Sequence, residues 1–408
     1  QLIQDYIDHG AKNPAHKWIE KIDFDKLPNR DTSSGYYEGK KAEPADIISQ
    51  LPIRRENMEG KIENSIVKHS ITVIKSSSGQ GKTTLAWQVA YNIRNQYQIY
   101  KLNWCNEVKE LDNIVEYFKS RIKIGEKILI ILDNLDVQLK EWNILSQYIS
   151  SKIGINYKLL VTTREDDWYT FSGDPTNLKD MEIIDISLDA SQAEKIYIKL
   201  KEMDKVDVSI VNWQSSWELV SDKGLLIEYI YLLTHGEMIS DRISQQIKNI
   251  NLNKGASIKL AILRQITLAD VMGIKLPVRG LIEQFNYLID DGLDLNEILK
   301  SIENEFYIKI TDQKRYVEGL HPVRSHHIVD RLHEFISTGE TILEILKIVD
   351  EVYISKLYSN LPFYVFGDKD KFYRNLVANT CDNNYTYFYN AIRGIFSGSR
   401  SGRASCRE

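Results

Sequence analysis

Cysteine, excess positive charge and long apolar runs are all scarce in this 408-residue chain. Its three cysteines, Cys105, Cys381 and Cys406, are widely spaced and form no CxxC pair. They argue against a disulfide framework or a zinc site and fit the reducing cytoplasm. The formal net charge of −5 argues against a dominant nucleic-acid surface. No apolar run approaches the about 18 residues of a membrane span, and no signal-peptide pattern opens the chain. We therefore expect a cytoplasmic protein that does not enter a membrane.

The composition is otherwise typical of a globular protein, with 43% hydrophobic and 27% charged residues. The length suggests about two to four domains. The first residue is Gln1 rather than Met, and residues 397–408 are rich in Ser, Gly and Arg. We therefore expect this chain to be the middle of a larger protein. We also expect residues 397–408 to be a disordered tail or a cloning scar.

The segment Ile71–Leu85, ITVIKSSSGQGKTTL, is the most informative in the chain. A P-loop has a Gly, four residues and then Gly-Lys-Ser/Thr, and here Ser76 replaces only the first Gly. Gly79 and Gly81 allow a tight turn whose N–H groups point inward, and the following helix start is an anion site. The pattern predicts ATP or ADP binding by the loop residues Ser78, Gly79, Gln80, Gly81, Lys82, Thr83 and Thr84.

Two of these residues have predicted roles of their own. Lys82 would reach the β- and γ-phosphates, and the Thr83 hydroxyl would ligate Mg²⁺.

A second element, ILIILDNLD at Ile128–Asp136, distinguishes an NTPase from a simple phosphate site. Asp133 follows a strand without polar residues, so it should stand beside the P-loop and hold Mg²⁺ directly or through water. Asp136 could orient an attacking water or accept its proton. The predicted catalytic set is Asp136, Asp133 and Lys82, and the predicted metal ligands are Thr83 and Asp133.

A third element is the strand KLLVTTR, Lys158–Arg164, which ends at the same sheet edge. Arg164 is placed to touch the γ-phosphate or report its loss.

Strand and helix patterns alternate after residue 70, which predicts a parallel, doubly wound sheet. The expected strands are 71–75, 99–103, 128–132, 158–162 and 182–186, and the expected helices are 84–96, 108–121 and 138–151. Helical spacing continues from Ala190 to about Asn249. Three helices and a hairpin over Ser257–Leu320 then predict a winged-helix layout.

His321 follows that hairpin in the segment GLHPVRSHHI. A single histidine is most often structural, so His321 alone is a weak candidate. His326 and His327 are adjacent and lack the i,i+4 spacing of a helical metal site, which disfavours metal binding.

Together these elements, over about Pro52 to Phe335, resemble the STAND class of switch NTPases, which includes NB-ARC and NACHT proteins. SSSGQGKTTLA is similar to their Walker A, ILDNLD to the NACHT-style Walker B and VTTR to sensor 1. LDASQAEKI resembles the opening of their helical domain. DKGLLIEY resembles their GLPLAL motif with Leu225 in place of Pro, and LHP resembles their MHD motif with Pro322 in place of Asp.

The resemblance implies a mechanism as well as a fold. His321 would contact the β-phosphate and lock a closed, ADP-bound form, and IRRE would place Ile53 and Arg54 on the adenine side. The SSSGQGKTTLA and HPVRS segments resemble those of bacterial novel STAND proteins, many of which are antiviral, Avs-type defence ATPases. This likeness implies slow ATP hydrolysis, homo-oligomerisation on activation and a phage protein as the trigger.

The expected fold is α/β, a parallel, doubly wound P-loop NTPase sheet followed by a helical domain and a winged-helix domain. The expected ranges are 1–50 for a linker or docking segment after an N-terminal effector, 51–189 for the core, 190–255 for the helical domain, 256–337 for the winged helix, 338–396 for the start of a C-terminal helical sensor region and 397–408 for the tail.

A DNA-binding AAA-type ATPase is the main alternative, because such proteins also carry a winged helix after the ATPase core. The predicted third helix, LNEILKSIE, carries Glu297 and Glu303 against Lys300, which is not a DNA-reading face. A STAND-type transcription regulator with its DNA-binding part elsewhere stays open.

Overall fold

A computed structural model describes two compact units, 1–236 and 237–408. The described residues are 18–29, 36–37, 39–103, 111–133, 157–165, 168, 180–251, 255–286, 294–305, 308–311, 315–365, 372, 374 and 376. Within these ranges, no helix is both long and apolar enough to cross a lipid bilayer.

The first unit is built on a six-stranded sheet with the order β1-β3-β4-β5-β2-β6. The strands are β1 Ile19–Ile22, β2 Ile71–Ser76, β3 Gln98–Leu102, β4 Ile128–Leu132, β5 Tyr157–Arg164 and β6 Met181–Asp185. β2 to β6 run parallel, and β1 pairs antiparallel with β3. All five residues of β4 are buried, as a central parallel strand covered on both faces requires.

Alternate residues of the central strands supply two apolar cores, one on each face of the sheet. Ile130 and Val161 belong to one core, and Leu129 and Leu160 belong to the other. Because β4 pairs with β5 and β5 with β2, the carboxyl ends of all three strands meet at one edge. This edge is where an open α/β sheet binds its ligands.

Seven α-helices are described in the first unit: α1 Pro44–Ile48, α2 Glu56–Lys68, α3 Lys82–Asn92, α4 Leu111–Lys123, α5 Ala190–Glu202, α6 Trp213–Val220 and α7 Leu226–His235. Side chains cap α5 and α6, since Asp189 accepts from the Gln192 N–H and Asn212 accepts from the Ser215 N–H, and Asp46 of α1 accepts from the Glu43 N–H.

The mixed α/β fold with a parallel central sheet confirms the coarse sequence prediction, and the differences lie at its margins. Residues 19–22, which the sequence placed in a linker, form β1 and pair with β3. A four-residue strand is too short for its alternation to stand out from a loop. The helix predicted at 84–96 begins at Lys82 and ends at Asn92. The helix predicted at 138–151 lies outside the described residues.

The second unit contains helices and a three-stranded sheet with the order β7-β9-β8. Its described elements are α8 Ile239–Asn251, α9 Ala256–Val271, β7 Leu276–Pro277, α10 Val278–Phe285, α11 Leu295–Asn304, β8 Ile308–Thr311, β9 Tyr316–Gly319, α12 Pro322–Leu332, α13 Thr338–Leu346 and α14 Glu351–Tyr364. The predicted hairpin is present as β8 and β9, and β7 adds a third strand. The structure groups α8 with this unit, whereas the sequence placed residues up to 255 in the preceding domain.

A buried polar contact joins three elements of the second unit. The Ser325 hydroxyl, on α12, donates to the Asp270 carboxylate of α9 at 2.6 Å. A Cβ at Gly319, the last residue of β9, would clash with both side chains. Gly319 is therefore required because the hydrogen-bonded pair occupies the space that a side chain would need.

We expect Gly319→Ala to destabilise the second unit by about 1–3 kcal/mol, because the new methyl group must push Ser325 from Asp270. Thermal unfolding followed by circular dichroism would measure the change. Gly60→Ala is the matched control, since Gly60 lies within α2 and a Cβ added there would meet no atom within 4 Å. That control should gain roughly 0.5–1 kcal/mol from helix propensity, and an equal loss in both variants would contradict the steric argument.

Candidate functional site

The P-loop connects the end of β2 to the start of α3 in the geometry of an anion site. Gly79 and Gly81 have φ values of 84° and 79°, a region that favours glycine. Gly81 is the N-cap of α3, and no side chain caps this helix end. The first N–H groups of α3 are therefore oriented to bind an anion such as a phosphate.

Lys82 is held within this loop by backbone carbonyl groups. Its ammonium donates to the carbonyl oxygens of Ser76 at 2.9 Å and Ser77 at 2.7 Å, and its side chain is buried. Phosphate oxygens are stronger partners for an ammonium than neutral carbonyl groups are. The structure places Lys82 within the loop, and its predicted phosphate contact stays a prediction.

Asp133 lies directly after β4 and gathers three side chains around its carboxylate. Oδ1 accepts from the hydroxyls of Thr83 at 2.8 Å and Thr162 at 2.7 Å, and Lys41 Nζ lies 2.9 Å from Oδ2. Burial raises the pKa of Asp133, but Lys41 and the two hydroxyl donors outweigh it and hold the pKa below its usual value. Asp133 therefore stays ionised in the physiological pH range.

The donor set around Asp133 fits a magnesium ion. Mg²⁺ prefers oxygen ligands and typically takes one or two protein groups together with phosphates and water. Thr83 and Asp133, hydrogen-bonded to each other, supply a hydroxyl and a carboxylate oxygen at one point. Among the described residues, no group of three or more His, Cys, Asp or Glu side chains could hold a metal alone. Phosphate oxygens and water would thus have to supply the remaining ligands.

The other predicted nucleotide contacts lie on the first unit, except His321, which belongs to the second unit. Arg164 ends β5 and is in register with Ser76 of β2, beside the P-loop. Ser78 lies in the turn, and Thr84 is hydrogen-bonded to Tyr36, whose hydroxyl pKa is raised by burial. Asp136 lies outside the described residues, so its predicted role in hydrolysis stays a prediction.

The IRRE segment lies near the loop, but Arg54 does not face it. Arg54 donates to the Glu59 carboxylate at 2.9 Å and to Asn92 at 2.8 Å, both on the helices behind the loop. Ile53 contributes its carbonyl oxygen to Gln88 at 3.1 Å. The structure therefore offers no support for Arg54 as the nucleotide contact.

Arg55, which sequence reasoning missed, contacts the loop instead. Its guanidinium donates to the carbonyl oxygens of Gln80 at 2.9 Å and Ser187 at 2.8 Å, and to the Gln192 side chain at 2.6 Å. Burial lowers the pKa of Arg55 to about 10, so it remains charged at neutral pH. Arg54 and Arg55 look alike in sequence, and only their tertiary contacts distinguish them.

The loop also contacts the segment that leads into α7. The Ile227 N–H donates to the Gly79 carbonyl at 3.0 Å, and Gln80 Nε2 donates to the Gly224 carbonyl at 2.6 Å. A Cβ at Gly81 would lie 2.9 Å from Leu226 Cδ2. The segment 224–227, part of the DKGLLIEY motif, therefore forms one wall of the P-loop.

His321 belongs to the second unit and caps α12. Its Nδ1 accepts from the Val323 N–H at 3.2 Å, and Pro322 occupies the first helical position, where its missing N–H costs nothing. An accepting Nδ1 fixes the neutral tautomer that carries its proton on Nε2. The predicted role of His321 as a phosphate contact stays a prediction.

The part of the chain that carries this loop matches a known protein family. Residues 34–175 match the family described as Novel STAND NTPase 5. The match covers the P-loop and Asp133, and it supports a STAND NTPase.

Comparisons with solved structures give weaker likenesses. A STAND protein with a tetratricopeptide repeat sensor from Pyrococcus horikoshii is 14% identical with a TM-score of 0.41, covering 85% of this chain and 53% of its own. A Walker-type ATPase of Pyrococcus abyssi is 13% identical with a TM-score of 0.32, covering 75% and 99%. The Aeropyrum pernix ORC2 protein is 13% identical with a TM-score of 0.30, covering 76% and 97%. The chain spans about half the length of the P. horikoshii protein. No curated protein matches the chain.

We expect Arg55→Lys to weaken ADP binding by about tenfold, because an ammonium cannot keep the forked contact with Gln80 and Ser187. Isothermal titration calorimetry would measure it. Arg54→Lys is the matched control, since it makes the same exchange one residue away and faces α2. Equal affinities for the two variants would show that Arg55 does not organise the loop.

Proposed function

We propose that the chain is an ATP/ADP-dependent signalling switch of the STAND type. The P-loop geometry, the Thr83–Asp133 pair and the family match over 34–175 support nucleotide and Mg²⁺ binding by the first unit. Mg²⁺ would supply charge neutralisation at the β- and γ-phosphates. Lys82 would bind these phosphates, and Asp133 and Thr83 would orient the ion.

The observation that carries the proposal is the contact between the P-loop and the segment 224–227. Phosphates bind to the N–H groups of the loop, and the same loop is hydrogen-bonded to Gly224 and Ile227. Exchange of ADP for ATP, which adds a phosphate, would therefore alter the loop. The start of α7 is hydrogen-bonded to this loop and would be affected as well. A ligand shifts a conformational equilibrium only through such differential contacts. This arrangement suits a switch better than it suits a motor with rapid turnover.

Hydrolysis in this proposal is slow and supports the switch. Asp133 stays ionised and holds Thr83 in place, and Asp136 is proposed to orient the attacking water. Arg164, at the end of β5, is proposed to sense the γ-phosphate.

We extend the proposal to the second unit through His321. The LHP segment resembles the MHD motif, so His321 would bind the β-phosphate of ADP in the closed form, using its protonated Nε2. The helices and the β7-β9-β8 sheet would serve as the winged helix of such a switch. ATP would then favour the open form, which assembles into a homo-oligomer.

The biological setting proposed is bacterial antiviral defence. The resemblance to novel STAND proteins of the Avs type, with NACHT-like motifs, suggests a phage protein as trigger and an effector and a sensor on either side of this segment. A DNA-binding AAA-type ATPase is disfavoured, because α11 carries Glu297 and Glu303 against Lys300 and so lacks a basic reading face.

The nucleotide content of the purified protein tests the proposal directly. Denaturation followed by ion-exchange chromatography of the supernatant should release near-stoichiometric ADP. Lys82→Ala should release none and should bind ADP at least about 100-fold more weakly, because charge-assisted bonds to the phosphates are lost. Lys61→Ala, on the exposed face of α2, removes the same charge and should behave as wild type. An empty protein that turns over ATP rapidly would point to a working ATPase and refute the switch.

We expect His321→Ala to weaken ADP binding by about tenfold and to shift the protein toward larger assemblies in ATP. Size-exclusion chromatography with light scattering would follow assembly. His321→Asn is the informative second variant, since Asn keeps an N-cap acceptor but is too short to replace the imidazole. If Asn restores both ADP affinity and elution volume, the role of His321 is only to cap α12.

A further inference from the structure

A lysine that precedes the nucleotide-binding core reaches into the predicted magnesium site. Lys41 lies just before α1 in the chain, and its Nζ is 2.9 Å from Asp133 Oδ2. None of the P-loop, Walker B or sensor motifs contains it. The roles assigned to those motifs therefore do not explain the contact between Lys41 and Asp133.

Neighbouring contacts position the segment that carries Lys41, of which residues 36–37 and 39–41 are described. The Tyr36 hydroxyl is hydrogen-bonded to Thr84, the residue after the predicted metal ligand Thr83. The Tyr37 hydroxyl donates to the Leu51 carbonyl at 2.7 Å, and the Gly39 N–H donates to the Tyr36 carbonyl at 3.1 Å. Lys41 thus reaches Asp133 from a stretch of chain whose residue Tyr36 is hydrogen-bonded to the helix of the P-loop.

The exposure of the two partners is unequal. The Asp133 side chain is 7% exposed, whereas that of Lys41 is 46% exposed. A nearly buried carboxylate gains much from a cation, while a half-exposed lysine can return to water at little cost. The pair is therefore suited to opening whenever another cation reaches Asp133.

We propose that Lys41 is a tethered cation of the magnesium site, which competes with Mg²⁺ for Asp133. This inference rests on the proposed nucleotide and Mg²⁺ site. Lys41 neutralises the carboxylate until Mg²⁺ enters with the nucleotide, and the ion then displaces the ammonium. Both cations are attracted to the same carboxylate, and two positive charges side by side repel each other.

The displacement would have a structural consequence. Releasing Lys41 from Asp133 removes one of the contacts that hold the described residues 36–37 and 39–41 near the P-loop helix. Binding of Mg²⁺ would thus change the contacts of the part of the chain that precedes the core. This effect would be independent of the contacts at 224–227.

The test is the Mg²⁺ dependence of nucleotide binding, measured with fluorescent N-methylanthraniloyl-ADP in EDTA-buffered Mg²⁺ titrations. Lys41→Met removes the charge and keeps the length of the side chain. We expect its half-saturating free Mg²⁺ concentration to fall about tenfold, which corresponds to ~1.4 kcal/mol. Lys40→Met is the matched control, with the same charge change one residue away, and it should titrate as wild type. Lys41→Arg should also stay near wild type, since it restores a competing cation.

Two results would overturn the inference while leaving the proposed function intact. One is an unchanged Mg²⁺ midpoint in Lys41→Met, which would make the contact incidental. The other is a higher midpoint or weaker nucleotide binding, which would make Lys41 a phosphate ligand rather than a competitor. If wild-type protein binds no labelled ADP at any Mg²⁺ concentration, the proposed function itself fails, and this inference falls with it.

Discussion

A carboxylate at the end of a buried strand is the constraint on which the nucleotide site depends. Asp133 follows β4, whose five residues are all buried, so its charge has little access to water. Such a group must be compensated by hydrogen bonds or opposite charge. Thr83, Thr162 and Lys41 each come from a different part of the first unit and provide that compensation. Satisfying one charge therefore fixes the relative positions of α3, β5 and the segment before α1.

The P-loop shows the same principle with backbone groups. A loop that presents its N–H groups to phosphate must satisfy its carbonyl oxygens elsewhere. Lys82 takes two of them, Arg55 takes the carbonyl of Gln80, and Ile227 takes that of Gly79. The loop is thus preorganised by residues from three regions of the sequence, and its conformation cannot change without disturbing at least one of them.

How much of this could be read from the sequence differs between elements for physical reasons. The central strands and the P-loop were predictable, because burial on both faces produces unbroken apolar runs and because phosphate binding demands glycine at defined positions. The position of Asp133 at the edge of the sheet was predictable because this residue directly follows such an apolar run. Arg55 and Lys41 could not be predicted, because their roles depend on tertiary contacts with Gln80 and Asp133, which no local pattern records. Strand β1 was missed since four residues carry too little periodicity.

Strand β1 also has a consequence for how the protein can be handled and how it can associate. It runs antiparallel along β3 and occupies the side of β3 that faces away from β4. Without it, the backbone donors and acceptors of β3 would form an open sheet edge, the kind of template on which strands of other molecules add. A fragment that begins directly after β1 would keep Lys41, Arg55, the P-loop and Asp133 and yet expose this edge to aggregation. The boundary of a well-behaved fragment is therefore set by the main-chain hydrogen bonds of Ile19–Ile22, far ahead of the P-loop that begins at Ser76.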